Sequence, residues 1–181
     1  MEVPEQRLPA VTFEELALPL FDQLYNFAHW LTQDASEAED LVQETYVKAL
    51  RGFASFRVGT NFRAWMYRIL RNAFLSSRTG LKTAPVFDEE DPDHAAAVGN
   101  PTPESLLIEQ ANREIVQQAL EQLPLHFREI LLLCEVEEMS YQEIAETLSI
   151  PVGTVMSRLF RARQALRSIL KDKLQGGQRG L

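Results

Sequence analysis

Apolar residues recur along this chain at intervals of three and four, without the strict alternation of a half-buried strand, so every ordered segment reads as helix. Thr12 with Glu15 forms a capping box that opens a first helix, expected to run to about Leu31. Phe13, Leu16, Leu20, Leu24 and Phe27 or Ala28 supply its apolar face. Ser36 with Glu39 is a second such box, opening a helix to about Arg51. Leu41, Val42, Thr45, Ala49 and Phe53 turn to one side of it and Asp40, Gln43, Glu44 and Arg51 to the other. The loop Gly52 to Thr60 carries two aromatics, Phe53 and Phe56. Asn61 then caps a third helix with an expected inner stripe of Phe62, Trp65, Met66, Ile69 and Ala73, and with Tyr67, Arg68 and Arg71 outward.

Periodicity stops from about Thr79 to Pro103, where Gly80, Pro85, Pro92, Gly99, Pro101 and Pro103 punctuate the acidic run 88–93. That composition is a linker, with a reach of roughly 60 Å if extended at about 3.3 Å per residue. Helical pattern returns at Thr102-Pro103 and runs to about Leu123, and Pro124 begins another helix to about Glu137. Leu106, Leu107, Ile115 and Leu120, with Phe127, Ile130, Leu131 and Cys134, are their apolar stripes.

The most informative stretch is Ser140 to Arg167. Ser140 with Glu143 caps a short helix with Ile144, Ala145 and Leu148 inward; Ser149-Ile150 is a turn, and Pro151 suits the first position of a second helix. Val155, Leu159, Ala162 and Leu166 form the inner face of that second helix. Its outer crest carries Gly153, Ser157, Phe160, Arg161 and Gln164, with Arg158 along one edge and Arg163 and Arg167 along the other. A mixed polar and aromatic crest between arginine rows suits a DNA major groove, the crest meeting base edges and the rows meeting phosphates. This is a helix-turn-helix.

A net charge of −8 looks wrong for a DNA-binding protein until it is resolved along the chain. Residues 1–50 hold ten acids against Arg7 and Lys48, whereas residues 51–82 hold seven bases and no acid. Residues 83–110 reverse to seven acids and no base, and from 156 onward seven bases face only Asp172. Two basic blocks imply two nucleic-acid surfaces, and the first interleaves aromatics with arginines as a surface that stacks unpaired bases would. The acidic blocks need other partners.

Candidate chemistry is absent. His29, His94 and His126 lack metal-ligand spacing, no phosphate loop or nucleophile motif is present, and no cofactor is implied. The single Cys134 excludes an internal disulfide and reads as a small core residue. With no signal peptide or membrane-spanning run, the expected location is the cytoplasm.

The segments SEAEDLVQETY at 36–46, NFRAWMYRILRN at 61–72 and the stretch Leu120 to Arg167 resemble the extracytoplasmic-function sigma factors, the smallest bacterial sigma-70-type initiation factors. The resemblance implies an all-α protein of two helical domains, 1–80 and 104–175, with a flexible acidic linker at 81–103 and a tail at 176–181. It implies partnership with the β′ and β subunits of core RNA polymerase, promoter DNA and an anti-sigma factor. Asp40, Gln43 and Glu44 look like the helix that docks on the β′ coiled coil. Phe53, Phe56, Asn61, Arg63, Trp65, Tyr67, Arg68, Arg71 and Asn72 fall on the surface that melts and reads the −10 element. Thr154, Met156, Ser157, Arg158, Phe160, Arg161, Arg163, Gln164 and Arg167 fall on the reader of the −35 element. The linker resembles the segment that threads toward the active site and RNA exit channel. The run Gly59 to Trp65 is similar to a branch controlled by zinc-binding, redox-responsive anti-sigma proteins.

Two residues depart from the family pattern: Met156 stands where many members carry Lys or Arg, and Ser149 occupies a turn position that is often Gly. A stand-alone helix-turn-helix regulator would explain residues 104–173 but leave 36–75 without a role, and such regulators usually dimerise to read two half-sites.

Overall fold

The computed structural model describes residues 11–79 and 113–176. Every regular element among them is helical. The linker expected at 81–103, the helix start at Thr102-Pro103 with Leu106 and Leu107, and most of the tail expected at 176–181 lie outside the described residues. The chain divides into two compact units, Met1–Val86 and Phe87–Leu181.

In the first unit the box at Thr12 and Glu15 forms as expected, with both reciprocal bonds made. The helix it opens is short. Pro19 carries no N–H and interrupts the ladder, so α1 (Phe13–Ala17) passes through a 3-10 turn (Leu18–Leu20) into α2 (Phe21–Thr32). Gln33 ends α2 in the left-handed region, its backbone N–H donating to the His29 carbonyl. The cap of α3 (Ala35–Gly52) lies two residues before the one expected at Ser36: Asp34 accepts the Glu37 N–H at 2.8 Å. Glu37 is drawn instead to Arg78, 2.9 Å away at the far end of α4 (Phe62–Thr79). Leu24, Phe27, Ala28 and Leu31 of α2, Leu41, Val42, Thr45 and Ala49 of α3, and Met66, Tyr67, Leu70 and Phe74 of α4 make the core. Each large side chain fully buried there contributes about 1.5–3 kcal/mol. The Tyr46 hydroxyl donates to the Ala17 carbonyl at 2.6 Å, pinning the 3-10 turn onto α3.

The second unit comprises α5 (Arg113–Gln122), α6 (Leu125–Leu131), α7 (Tyr141–Leu148) and α8 (Val152–Gly176). Arg128 caps the carbonyl end of α5, donating to the carbonyls of Leu120 at 2.9 Å and Glu121 at 3.0 Å and, just past the helix, of Leu123 at 3.3 Å. The helix expected through Glu137 widens into a π-turn at Leu132–Val136. One extra residue per turn rotates the side chains within it, so Leu132 and Leu133 enter the core while Cys134 stays half-buried; Phe127, which precedes the turn, is half-buried as well.

The Ser140 and Glu143 box forms in full, at 3.2 and 2.8 Å. Ser149 ends α7 at φ 57°, ψ 44°, the left-handed conformation that costs a residue with a Cβ. Pro151 lies just before α8 rather than at its first position, its carbonyl accepting the Val155 N–H at 3.1 Å. Ser149→Gly is expected to stabilise this unit by about 1 kcal/mol and raise its Tm by a few degrees, as thermal denaturation would measure.

Candidate nucleic-acid interface

Three surfaces carry the residues singled out above. On α3, Asp40, Gln43 and Glu44 are all exposed, with Glu44 paired to Lys48 at 2.6 Å. Val47 and Leu50 continue the same line of the helix at i+7 and i+10 from Asp40, and both are exposed. The outer face of α3 is therefore acidic at one end and apolar at the other. Reading its polar residues alone missed the second half.

The surface at α4 differs from expectation. Asn61 does cap the helix, accepting the Ala64 N–H at 2.9 Å. Tyr67, expected outward, is fully buried against Phe27 with ring centroids 5.2 Å apart, and Arg71 is buried as well. The reason is that α4 packs against both α2 and α3, so its buried arc is wider than a single stripe. Met66, Leu70, Ala73 and Phe74, at i, i+4, i+7 and i+8, centre that arc. Trp65 and Ile69, placed inward from the sequence, are half-buried at its rim. Of the α4 residues singled out, Asn72 is exposed, while Trp65, Arg68 and Arg63 are half-buried, the Arg63 guanidinium lying 5.6 Å from the Tyr67 ring centroid.

Phe53, Phe56 and Trp65 belong to one aromatic cluster with Phe13 and Phe62. Phe56 lies 5.1 Å from Trp65 and 5.2 Å from Phe62, and Phe53 lies 5.4 Å from Phe13. These rings spend much of their area on one another, which holds the loop rigidly to the helix. At the tip of that loop Val58 is the most exposed large apolar side chain among the described residues, in a turn closed by the Thr60 N–H and hydroxyl on the Arg57 carbonyl, at 3.1 and 2.7 Å. Its neighbours Arg57 and Thr60 are also exposed.

The third surface is α8. Its inner face is as the spacing predicts: Val155, Leu159, Ala162 and Leu166 are buried, joined by Leu170. Met156, Phe160, Gln164 and Arg167 are exposed, and Thr154, Ser157 and Arg161 half-buried. Ser157 donates its hydroxyl back to the Thr154 carbonyl at 3.1 Å. Two of the expected flanking arginines are otherwise employed. Arg158 is only 3% exposed, its position on the helix falling between Val155 and Ala162 beside the buried face. Arg163 is held by Glu135, its Nη2 and Nε donating to Oε1 at 2.6 and 3.1 Å, with Nη2 3.7 Å from the Cys134 Sγ. Burial, with the Glu135 charge adding to it, pushes the Cys134 thiol up, so it stays protonated near neutral pH, as a packing residue should.

Among the described residues no cluster of His, Cys, Asp or Glu could hold a metal ion, and no helix is long and apolar enough to cross a membrane.

The arrangement has close counterparts. A family model for Sigma-70 region 2 matches residues 19–82, and one for Sigma-70 region 4 matches residues 113–166. The chain is 33% identical over 178 residues to the RNA polymerase sigma-H factor of Pseudomonas aeruginosa, covering 94% of this chain and 92% of that one. It belongs to the extracytoplasmic-function sigma factors of the sigma-70 family. The ECF RNA polymerase sigma factor SigE of Mycolicibacterium smegmatis is 36% identical over 164 residues, and the match spans 88% of this chain but 62% of that relative's length. Among solved structures, the sigma factor RpoE of Bartonella quintana, crystallised in complex with the anti-sigma factor NepR, superimposes with a TM-score of 0.65 at 32% identity, covering 88% of this chain and 96% of that one. The match to region 2 spans α2 to α4 of this sigma factor and that to region 4 spans α5 to most of α8, so the helix-turn-helix is half of the protein's machinery and the stand-alone regulator is set aside.

Proposed function

We propose that this sigma factor directs core RNA polymerase to its promoters by dividing the work among the three surfaces. The domain boundaries are 1–80 and 104–175, joined by 81–103. The outer face of α3 binds the β′ subunit through Asp40, Gln43 and Glu44, with Val47 and Leu50 adding apolar area. The edge of α4 and its preceding loop engage the −10 element, through Trp65, Arg68, Asn72, Arg63 and Arg57. The crest of α8 reads the −35 element, and an anti-sigma factor holds the protein inactive in the cytoplasm until induction. The protein acts by binding, not by catalysis.

The observation that carries this reading is α8 itself, a 25-residue helix whose buried and exposed faces separate cleanly and whose exposed face carries arginine beside base-sized apolar groups. Promoter-specific transcription in vitro with purified core polymerase tests it directly. Arg161→Ala is expected to weaken −35 binding by about 1–3 kcal/mol and to relax sequence preference at one position. Arg167→Ala should instead weaken all duplexes alike and flatten the dependence on log salt by about one unit. If the two variants were indistinguishable, the assignment of the crest to base edges would fail.

A further inference from the structure

Met156 and Phe160 are large apolar side chains, each 41% exposed, one turn apart on α8. Leaving either in water forgoes burial, and neither is needed for the core, which Val155 and Leu159 fill from the neighbouring positions. Their spacing along the helix is about 6 Å, roughly two steps of 3.4 Å along one DNA strand. Gly153, one turn before Met156, has no Cβ, and a Cβ built there would meet nothing within 4 Å, so the first turn of α8 presents bare backbone on the same side. A helix can sit deep in a groove at such a place. Arg167 is exposed beyond Phe160, and Arg161 is partly exposed beside it. An apolar pair edged by guanidinium groups matches a polyanion that offers apolar patches at its centre, which duplex DNA does in only one way. In the major groove, thymine alone among the four bases presents a methyl group.

We propose that Met156 and Phe160 read the C5-methyl groups of two thymines lying one or two base pairs apart in the −35 element. The inference rests on the reading of α8 as the −35 recognition helix and adds to it a chemical identity for part of the target. A flexible thioether and a flat ring are suited to the task, since both adapt to a methyl of fixed position without requiring a hydrogen-bond partner.

The test uses holoenzyme reconstituted from the full chain and core polymerase. Duplexes selected from a pool randomised upstream of a fixed −10 region would define the preferred site. Each upstream thymine would then be replaced by uracil, which removes one methyl and changes nothing else on the groove edge. The expected result is a loss of about fourfold in affinity at each of two positions and none elsewhere. Met156→Ser should abolish sensitivity to one of those replacements and Phe160→Ser to the other, each variant keeping the remaining sensitivity. Because both residues are exposed, the thermal transitions of the two variants should match that of the wild type, so a folding defect would be seen as such.

Equal affinity for the thymine and all-uracil duplexes would overturn the proposal while leaving α8 as the reader. So would serine variants that keep full uracil sensitivity, or ones that lose binding to an inhibitory protein without any change in DNA selection. A holoenzyme that selects no upstream sequence at all would overturn the reading of α8 and this inference with it.

Discussion

Reversing Asp40 and Glu44 together to lysine is expected to abolish association with core RNA polymerase. The two residues lie one turn apart on α3 and are both exposed, so their carboxylates present one negative patch, and neither supports the fold. Converting two attractive contacts into two repulsive ones should cost about 2–5 kcal/mol or more, at least thirtyfold in Kd. Glu44 also pairs with Lys48, an exposed i,i+4 contact worth only a few tenths of a kcal/mol, so helix content should be unchanged. Titration of labelled variant against core polymerase, alongside circular dichroism, measures both. Wild-type affinity in the double variant would remove α3 from the polymerase interface.

The second large effect is expected at Arg158, and it is an effect on stability. The helical spacing of α8 put this residue among the phosphate contacts, yet it is buried beside the inner face, in the unit that also buries Glu129 and Glu137. The Arg158 stem is packed beside the inner face, and its Nε and Nη1 are buried without a hydrogen-bond partner, so it is the packing of the long side chain that truncation removes. Arg158→Ala should destabilise the second unit by about 2–5 kcal/mol, lowering the Tm of that unit by roughly 8 degrees or more. Arg167→Ala, on the exposed side, should leave the Tm unchanged. If Arg158→Ala melted normally and merely weakened DNA binding, the residue would belong to the interface after all.

Arg158 marks the limit of what can be read from the chain without its fold. Interactions within one turn were legible: the boxes at Thr12–Glu15 and Ser140–Glu143, the cap at Asn61, and the inner face of α8 all depend on residues three or four apart. Whatever depended on a distant partner was not. Arg163 looked like a phosphate contact because Glu135, 28 residues earlier, becomes its neighbour only when the π-turn packs on α8. Tyr67 and Arg71 looked exposed because a single stripe of periodicity cannot show that α4 is covered by two helices. Ser36 with Glu39 matched a capping motif, but Asp34 made the cap while Glu37 went to Arg78, 41 residues away. The candidate surfaces therefore kept their places in the fold while individual members moved inward or were claimed by neighbours.

On α8 the side chains that hold the helix in place and those that face outward are almost entirely different sets, interleaved residue by residue. Gly153, Met156, Phe160, Gln164 and Arg167 can each change without disturbing Val155, Leu159, Ala162 or Leu166. If α8 reads the −35 element as proposed, single substitutions on its outer face would retune which promoters are chosen while costing the scaffold little, so promoter and helix could drift together in small viable steps. Arg158, which is buried, and Arg163, which is held by Glu135, are the exceptions among the arginines of that helix, and they are the positions at which such drift would stall.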